Sequence, residues 1–212
     1  MAKIEEVRGS KVVVRFDATR CVHSRNCVLD RPDVFVPNAT GEWIHPDRAE
    51  PEQIAALARN CPSGAISYER LDGGAGEMAP IVNTLRIREN GPLALNAPSR
   101  IGGADAGLRL TLCRCGASKN KPYCDGSHAA AGFTATGEPP VRESAALAAR
   151  DGAVEITPIA NGPLKVTGSL EIVSGTGRTV NRCVEAFLCR CGASADKPYC
   201  DGSHRKIGFR SA

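Results

Sequence analysis

The run Cys113-Arg-Cys115-Gly-Ala-Ser118-Lys-Asn-Lys-Pro122-Tyr-Cys124-Asp-Gly-Ser-His128 places three cysteines and a histidine within sixteen residues. The chain repeats it as Cys189-Arg-Cys191-Gly-Ala-Ser194-Ala-Asp-Lys-Pro198-Tyr-Cys200-Asp-Gly-Ser-His204. Thiolate sulfur combined with imidazole nitrogen is the donor set that holds zinc or an iron–sulfur cluster. A disulfide framework fits poorly, because Cys-x-Cys is too tight for easy disulfide geometry, whereas two thiolates one residue apart can reach a single metal side by side. Pro122 and Pro198 set turns that bring the third cysteine back. In Asp-Gly-Ser-His the aspartate is expected to N-cap a helix, with the histidine in its first turn facing the metal. The spacing brings four ligands together and leaves zinc and iron–sulfur both open.

Cys-x-Cys, then Ser, then Pro-x-Cys-Asp-Gly-Ser-His resembles the CDGSH iron–sulfur proteins, the mitoNEET family, and both copies match at every defining position. The resemblance implies a [2Fe-2S] cluster in each copy. It implies Cys113 and Cys115 on one iron with Cys124 and His128 on the other, and the same roles for Cys189, Cys191, Cys200 and His204. Zinc would suit the same ligand types.

A third group of cysteines lies near the N-terminus, in Cys21-Val-His23-Ser24-Arg-Asn-Cys27 and Cys61-Pro62. It resembles the single-cluster bacterial ferredoxins, in which a C-x₂-C-x₂-C run is joined by a distant Cys-Pro, with Ser24 here in place of the middle cysteine. That resemblance implies a [3Fe-4S] cluster on Cys21, Cys27 and Cys61, or a [4Fe-4S] cluster whose fourth iron finds Ser24, His23 or water. The competing reading is a module that has lost its cluster and keeps its cysteines as small buried hydrophobes. Placement in loops at ferredoxin spacing favours ligation.

The elements that must position these residues are strands for the most part. In residues 1–71, Lys11-Val-Val-Val-Arg-Phe16 and Ala65-Ile-Ser-Tyr-Glu-Arg70 read as strands, with short runs at Asp33–Val36 and Glu42–Ile44 between. Pro51–Asn60 reads as a helix with proline at its first position and Ile54, Leu57 and Ala58 on one face. Phe35 and Trp43 are expected in the core. The Gly-rich residues 72–80 read as a linker.

Beyond it the two motifs recur 76 residues apart (189 − 113), as do Gly132-Phe133 and Gly208-Phe209. An upstream turn, Asn90-Gly-Pro-Leu93, recurs as Asn161-Gly-Pro-Leu164, 71 residues on (161 − 90). Strand-like runs flank each turn, at Leu85–Arg88, Leu93–Leu95, Val154–Ile156 and Leu164–Thr167, and Leu108–Leu112 and Val184–Leu188 lead into the cysteine loops. Repeat 1 is taken as residues 81–136, and residues 137–212 as connector plus repeat 2. Some helix is expected after Pro140, with the connector's apolar residues packed. A unit this small buries too little core alone. Members of the family pair as homodimers, so the two copies are expected to form an intramolecular pseudo-twofold pair in a monomer. The fold class is α+β: a ferredoxin-like module followed by two small β-rich repeats.

Net charge is only +4 and aromatic content 4%, which argues against nucleic acid as a partner. No apolar run approaches the roughly 20 residues of a membrane span, and the charged N-terminus shows no signal or anchor. Ten cysteines without an export signal suit metal ligands in a reducing, cytoplasmic compartment, expected to be bacterial. Cys183 falls opposite Gly107 and reads as packing, His45 reads as a turn residue, and Lys121 and Lys197 either tune or solvate the cysteine loops. No catalytic motif is present, so no enzyme is expected. The leading expectation is electron transfer to redox protein partners through two [2Fe-2S] clusters and a possible third, ferredoxin-type one. A second is a cluster carrier serving apo acceptor proteins, or a redox and pH sensor that releases its cluster when the histidine is protonated. A third is a zinc-stabilised interaction module.

Overall fold

The computed structural model describes residues 4–211. Residues 1–3, with which the charged N-terminus begins, lie outside the described residues. The chain forms two compact units, Met1–Met78 and Ala79–Ala212.

In the first unit, β1 (Ile4–Arg8), β2 (Val12–Asp17) and β3 (Ile66–Arg70) form an antiparallel sheet in that order. Strand β1 went unread in the sequence: four of its five residues are exposed, so it lacks the alternation that marks a half-buried strand. Helix α1 (Asn26–Asp30) is a single turn, and α2 (Pro51–Arg59) starts with proline at its first position. A reciprocal pair of bonds between Glu50 and Gln53 satisfies the free N–H groups at the start of α2. Its buried Ile54, Leu57 and Ala58 pack with Val12, Val14, Ile66, Tyr68 and the fully buried Phe35. Trp43 is half-buried edge-on to Phe16 and Phe35, and its Nε1–H donates to Glu5. The runs around Phe35 and Ile44 meet in one isolated bridge and do not extend into strands.

The second unit is a six-stranded sheet. Strands β4 (Thr84–Ile87), β5 (Leu93–Ile101) and β6 (Ala104–Leu112) come from the first repeat, and β7 (Val154–Pro158), β8 (Leu164–Val173) and β9 (Thr179–Leu188) from the second. Each repeat builds an antiparallel hairpin, β5–β6 or β8–β9. The first strand of each then pairs antiparallel with its own hairpin and parallel with the other one, as β4–β5 and β4–β8 against β7–β8 and β7–β5. Exchanging the two repeats leaves this pattern unchanged. The bulges agree as well, between Asn96 and Ser99 in β5 and between Thr167 and Leu170 in β8. One core receives Leu85, Leu93 and Leu110 from the first repeat and Ile156, Leu164 and Leu188 from the second. Neither repeat closes that core by itself.

Two expectations for the connector are corrected. Residues 134–151 contain no helix, and most of the apolar side chains after Pro140 are exposed, Val141 at 56%. The Ala-rich stretch has no apolar face broad enough to fold a helix onto a core. It follows the sheet edge instead, where Arg142 N–H bonds the Val180 carbonyl and the Ser144 side-chain oxygen accepts from Arg182 N–H. No helix among the described residues is long and apolar enough to cross a membrane.

Candidate metal centres

Each cysteine loop is folded back on the strand that precedes it. Cys113 N–H bonds the Pro122 carbonyl at 2.8 Å and Cys124 N–H bonds the Thr111 carbonyl at 2.9 Å, which sets Tyr123 against Leu112 as a bridge. The second loop repeats this with Cys189 to Pro198, Cys200 to Phe187 and Tyr199 against Leu188. Both X–Pro bonds, Lys121–Pro122 and Lys197–Pro198, are cis. Ser118 Oγ donates to the Tyr123 carbonyl at 2.6 Å and accepts from Asn120 N–H, and Ser194 does the same with Tyr199 and Asp196. The Lys121 and Lys197 ammonium groups donate to the Ser118 and Ser194 carbonyls, so both lysines close the loops on themselves. Ser118→Ala is expected to cost about 1–2 kcal/mol, because it removes two part-buried hydrogen bonds of the loop together. Absorbance decay of the loaded protein should show a shortened lifetime mainly at the first site.

The histidines stand on one-turn helices, α3 (Ser127–Ala130) and α4 (Ser203–Lys206). The aspartate does not cap them as expected. Gly126 and Gly202 take the N-cap positions with φ of 86° and 85°, a region in which a side chain is strained. Asp125 sits one residue earlier, accepts from Ser127 N–H and reaches back to Lys119 N–H, and Asp201 does likewise with Ser203 and Ala195. Burial works against the Asp125 charge, yet these bonds hold its pKa down at about 2.

The donors group two and two. Cys113 Sγ and Cys115 Sγ are 3.8 Å apart, as are Cys189 Sγ and Cys191 Sγ. Cys124 Sγ lies 3.4 Å from His128 Nδ1, and Cys200 Sγ 3.3 Å from His204 Nδ1. Sulfurs about 2.3 Å from one tetrahedral metal are roughly 3.8 Å apart, and a sulfur and an imidazole nitrogen roughly 3.3–3.6 Å apart. Each pair therefore spans one edge of a tetrahedron. Among the described residues no three Cys, His, Asp or Glu side chains are gathered closely enough to hold a single ion. Backbone N–H groups point at the sulfurs, from Ala117 to Cys115, Gly126 to Cys124 and Gly202 to Cys200, each at 3.4 Å. The hydrogen bond from Cys113 lowers the Cys115 pKa and favours the thiolate, the form that binds metal, whereas burial raises the pKa of its counterpart Cys191. Burial pushes Cys124 up to about 11.

The residue inside Cys-x-Cys escaped the sequence reading. Arg114 is only 1% exposed and gives its guanidinium to four backbone carbonyls, of Arg88, Gly91, Ala135 and Thr136. Arg190, also buried, bonds the Ile159 and Gly162 carbonyls. The repeated Asn-Gly-Pro-Leu turn is thus a socket for the arginine of the cysteine loop, and Phe133 and Phe209 lie against the guanidinium groups at 5.3 and 5.8 Å. Asn90 and Asn161 clamp the other side by exchanging bonds with Ala135 and Ser211. Burial lowers the Arg114 pKa to about 10, which leaves it cationic at neutral pH. A second missed feature is the contact between the loops. A Cβ on Gly116 would come within 2.5 Å of the Cys191 carbonyl oxygen, and one on Gly192 would collide with the Cys115 carbonyl.

In the first unit, Cys21 follows a 3-10 turn and accepts from His23 N–H at 3.4 Å. Cys27 lies on α1, not in a loop as expected. Asn26 Nδ2 bonds the Asn60 carbonyl and ties the start of α1 to the end of α2, beside Cys61. Cys21, Cys27 and Cys61 line one cavity of about 480 Å³, together with His23, Ser24, Phe16 and Trp43. Burial raises the Cys21 and Cys27 thiol pKa values, with a further push from Cys61 in each case. Cys183 packs against the core of the second unit, its thiol pKa raised by burial, and His45 precedes the 3-10 turn at Pro46–Arg48.

Comparison with known proteins gives two families. Residues 84–129 and 161–205 each match the iron-binding zinc finger of CDGSH type. Residues 7–71 match the divergent 4Fe-4S mono-cluster family. The uncharacterized protein YjdI of Escherichia coli strain K12 is 35% identical over 60 residues, 28% of this chain and 78% of YjdI. The YjdI of Escherichia coli O157:H7 matches to the same extent.

Proposed function

Because the chain belongs to the CDGSH-type iron-binding family, with two such domains behind a divergent 4Fe-4S mono-cluster domain, we propose that it is an electron-transfer protein. In this reading each repeat carries a [2Fe-2S] cluster, and the ferredoxin-like N-terminal unit carries a [3Fe-4S] or [4Fe-4S] cluster on Cys21, Cys27 and Cys61. The two repeats act as an intramolecular pseudo-twofold pair, a reading supported by the exchangeable strand pairing. The observation that carries the proposal is the two-and-two grouping of donors, which suits a binuclear centre better than a single zinc ion.

A bound [2Fe-2S] cluster supplies reversible one-electron chemistry. The protein sets the energy of that step. Replacing one thiolate with neutral imidazole favours the reduced form, between about −400 mV for all-cysteine centres and roughly −150 to +300 mV for two-histidine ones. Arg114 and Arg190, buried within electrostatic reach of the cysteines, push the same way, as do the N–H groups aimed at the sulfurs. Spectroelectrochemical titration should give reversible bleaching at both repeats with the clusters retained over many cycles. Loss of the clusters on reduction, or their net transfer to an apo-ferredoxin, would contradict the assignment.

For the N-terminal unit the expected result is an electron paramagnetic resonance signal that Cys21→Ser, Cys27→Ser or Cys61→Ser abolishes without altering the spectra of the two repeats. Iron content that is the same in these variants as in the wild type would remove the third cluster from the account.

A further inference from the structure

The two repeats hold their donors alike but differ on the surface around them. At the 76-residue offset, Arg205, Lys206, Ile207 and Arg210 stand where the first repeat has Ala129, Ala130, Ala131 and Thr134. All four are exposed. On the strand before the loop, Phe187 is 41% exposed where its counterpart Thr111 is buried. Since the first repeat builds the same loop without these residues, neither the fold nor the donor geometry accounts for them.

Two of them, Phe187 and Arg205, line an opening. A groove of about 570 Å³ is lined by Ile159, Phe187, Cys200, His204 and Arg205, so it leads to the cysteine–histidine edge of the second site. Carboxylates of the same repeat are engaged elsewhere, Asp201 with the Ala195 and Ser203 N–H groups, Glu185 with Lys165, and Asp196 with Arg142. The opening thus joins apolar Ile159 and Phe187 to Arg205, and Lys206 and Arg210 add exposed positive charge on the same C-terminal segment, a composition nearer to a protein interface than to a bare phosphate-binding surface.

We propose that this face docks an acidic one-electron redox protein, making the second site the port through which electrons enter or leave the chain. The proposal rests on the electron-transfer reading. The step is the loss of one electron by the reduced partner and its gain at the second site, with no bond made or broken. Charge complementarity sets the encounter rate, and the exposed Phe187 and Ile207 set the contact.

The test uses the loaded full-length chain and a reduced plant-type [2Fe-2S] ferredoxin as the acidic probe. A variant carrying Arg205→Ala, Lys206→Ala and Arg210→Thr changes only exposed side chains to those of the first repeat. Its clusters should keep their spectra. With the ferredoxin, both affinity by calorimetry and electron-exchange rate by stopped flow should fall at least about tenfold at low salt, and the dependence on ionic strength should flatten. A variant that binds and exchanges as the wild type does overturns the proposal. Faster exchange of the wild type with the basic protein cytochrome c than with the ferredoxin removes the acidic partner but keeps electron transfer. Exchange with neither protein removes the electron-transfer reading and this one with it. Binding to anionic phospholipid vesicles, with the ferredoxin rate unaffected by the variant, would assign the face to a lipid surface and overturn the proposal.

Discussion

Gly116→Ala is expected to remove both repeat clusters, not only the one beside it. Gly116 has φ of +84°, so an alanine there incurs about 1–2 kcal/mol of backbone strain. Its methyl would also meet the Cys191 carbonyl, a main-chain atom that cannot rotate away, at a cost of about 1–3 kcal/mol more. Because that carbonyl belongs to a donor residue of the other loop, the strain reaches both sites. Gly192→Ala should act reciprocally against Cys115. Gly208 provides the control, with φ of +64° and open space around its Cβ position, so Gly208→Ala should cost about 1 kcal/mol and leave both clusters in place. Iron content and the visible spectrum of the purified variants give the readout.

Arg114→Ala is expected to destabilise the second unit by about 3–5 kcal/mol, since four carbonyls lose a charged donor, two of them keeping only a backbone N–H, and a large buried side chain leaves a void. Arg190→Ala, which gives up bonds to two carbonyls, should cost less. Arg114→Lys keeps the charge but has no planar fork to serve four acceptors, and should recover only a small part of the loss. Urea midpoints of the loaded protein give the ranking. Where Arg114→Lys retains its cluster, a potential close to that of the wild type would show that the charge acts on the cluster, and a lowered one that the fixed position of the guanidinium is required.

The donors were legible in the sequence because soft ligands at repeated spacing have few other uses, and the structure pairs them two and two within each repeat. The strands were legible in position but not in length. Leu93–Leu95 is the start of a nine-residue strand that continues through Pro98, where a bulge in the ladder spares the missing N–H. The connector was misread because Ala-rich composition favours helix locally, while hydrogen bonds to the sheet edge decide its course. Arg114 escaped notice because nothing local distinguishes a buried arginine from a solvated one. Its four acceptors lie more than twenty residues away in sequence, and only the recurring Asn-Gly-Pro-Leu turn hinted that something was held there. The contact of Gly116 with Cys191 joins residues of different repeats and has no signature in either one.

The central claim is that the donors of each repeat divide between two irons. Quantifying iron, zinc and acid-labile sulfide in anaerobically purified full-length protein tests it most directly, with Cys21→Ser, Cys27→Ser and Cys61→Ser combined to silence the N-terminal unit. The account predicts two irons and two sulfides for each repeat in a red-brown protein that bleaches on reduction. One zinc per repeat, without sulfide and without colour, would contradict it.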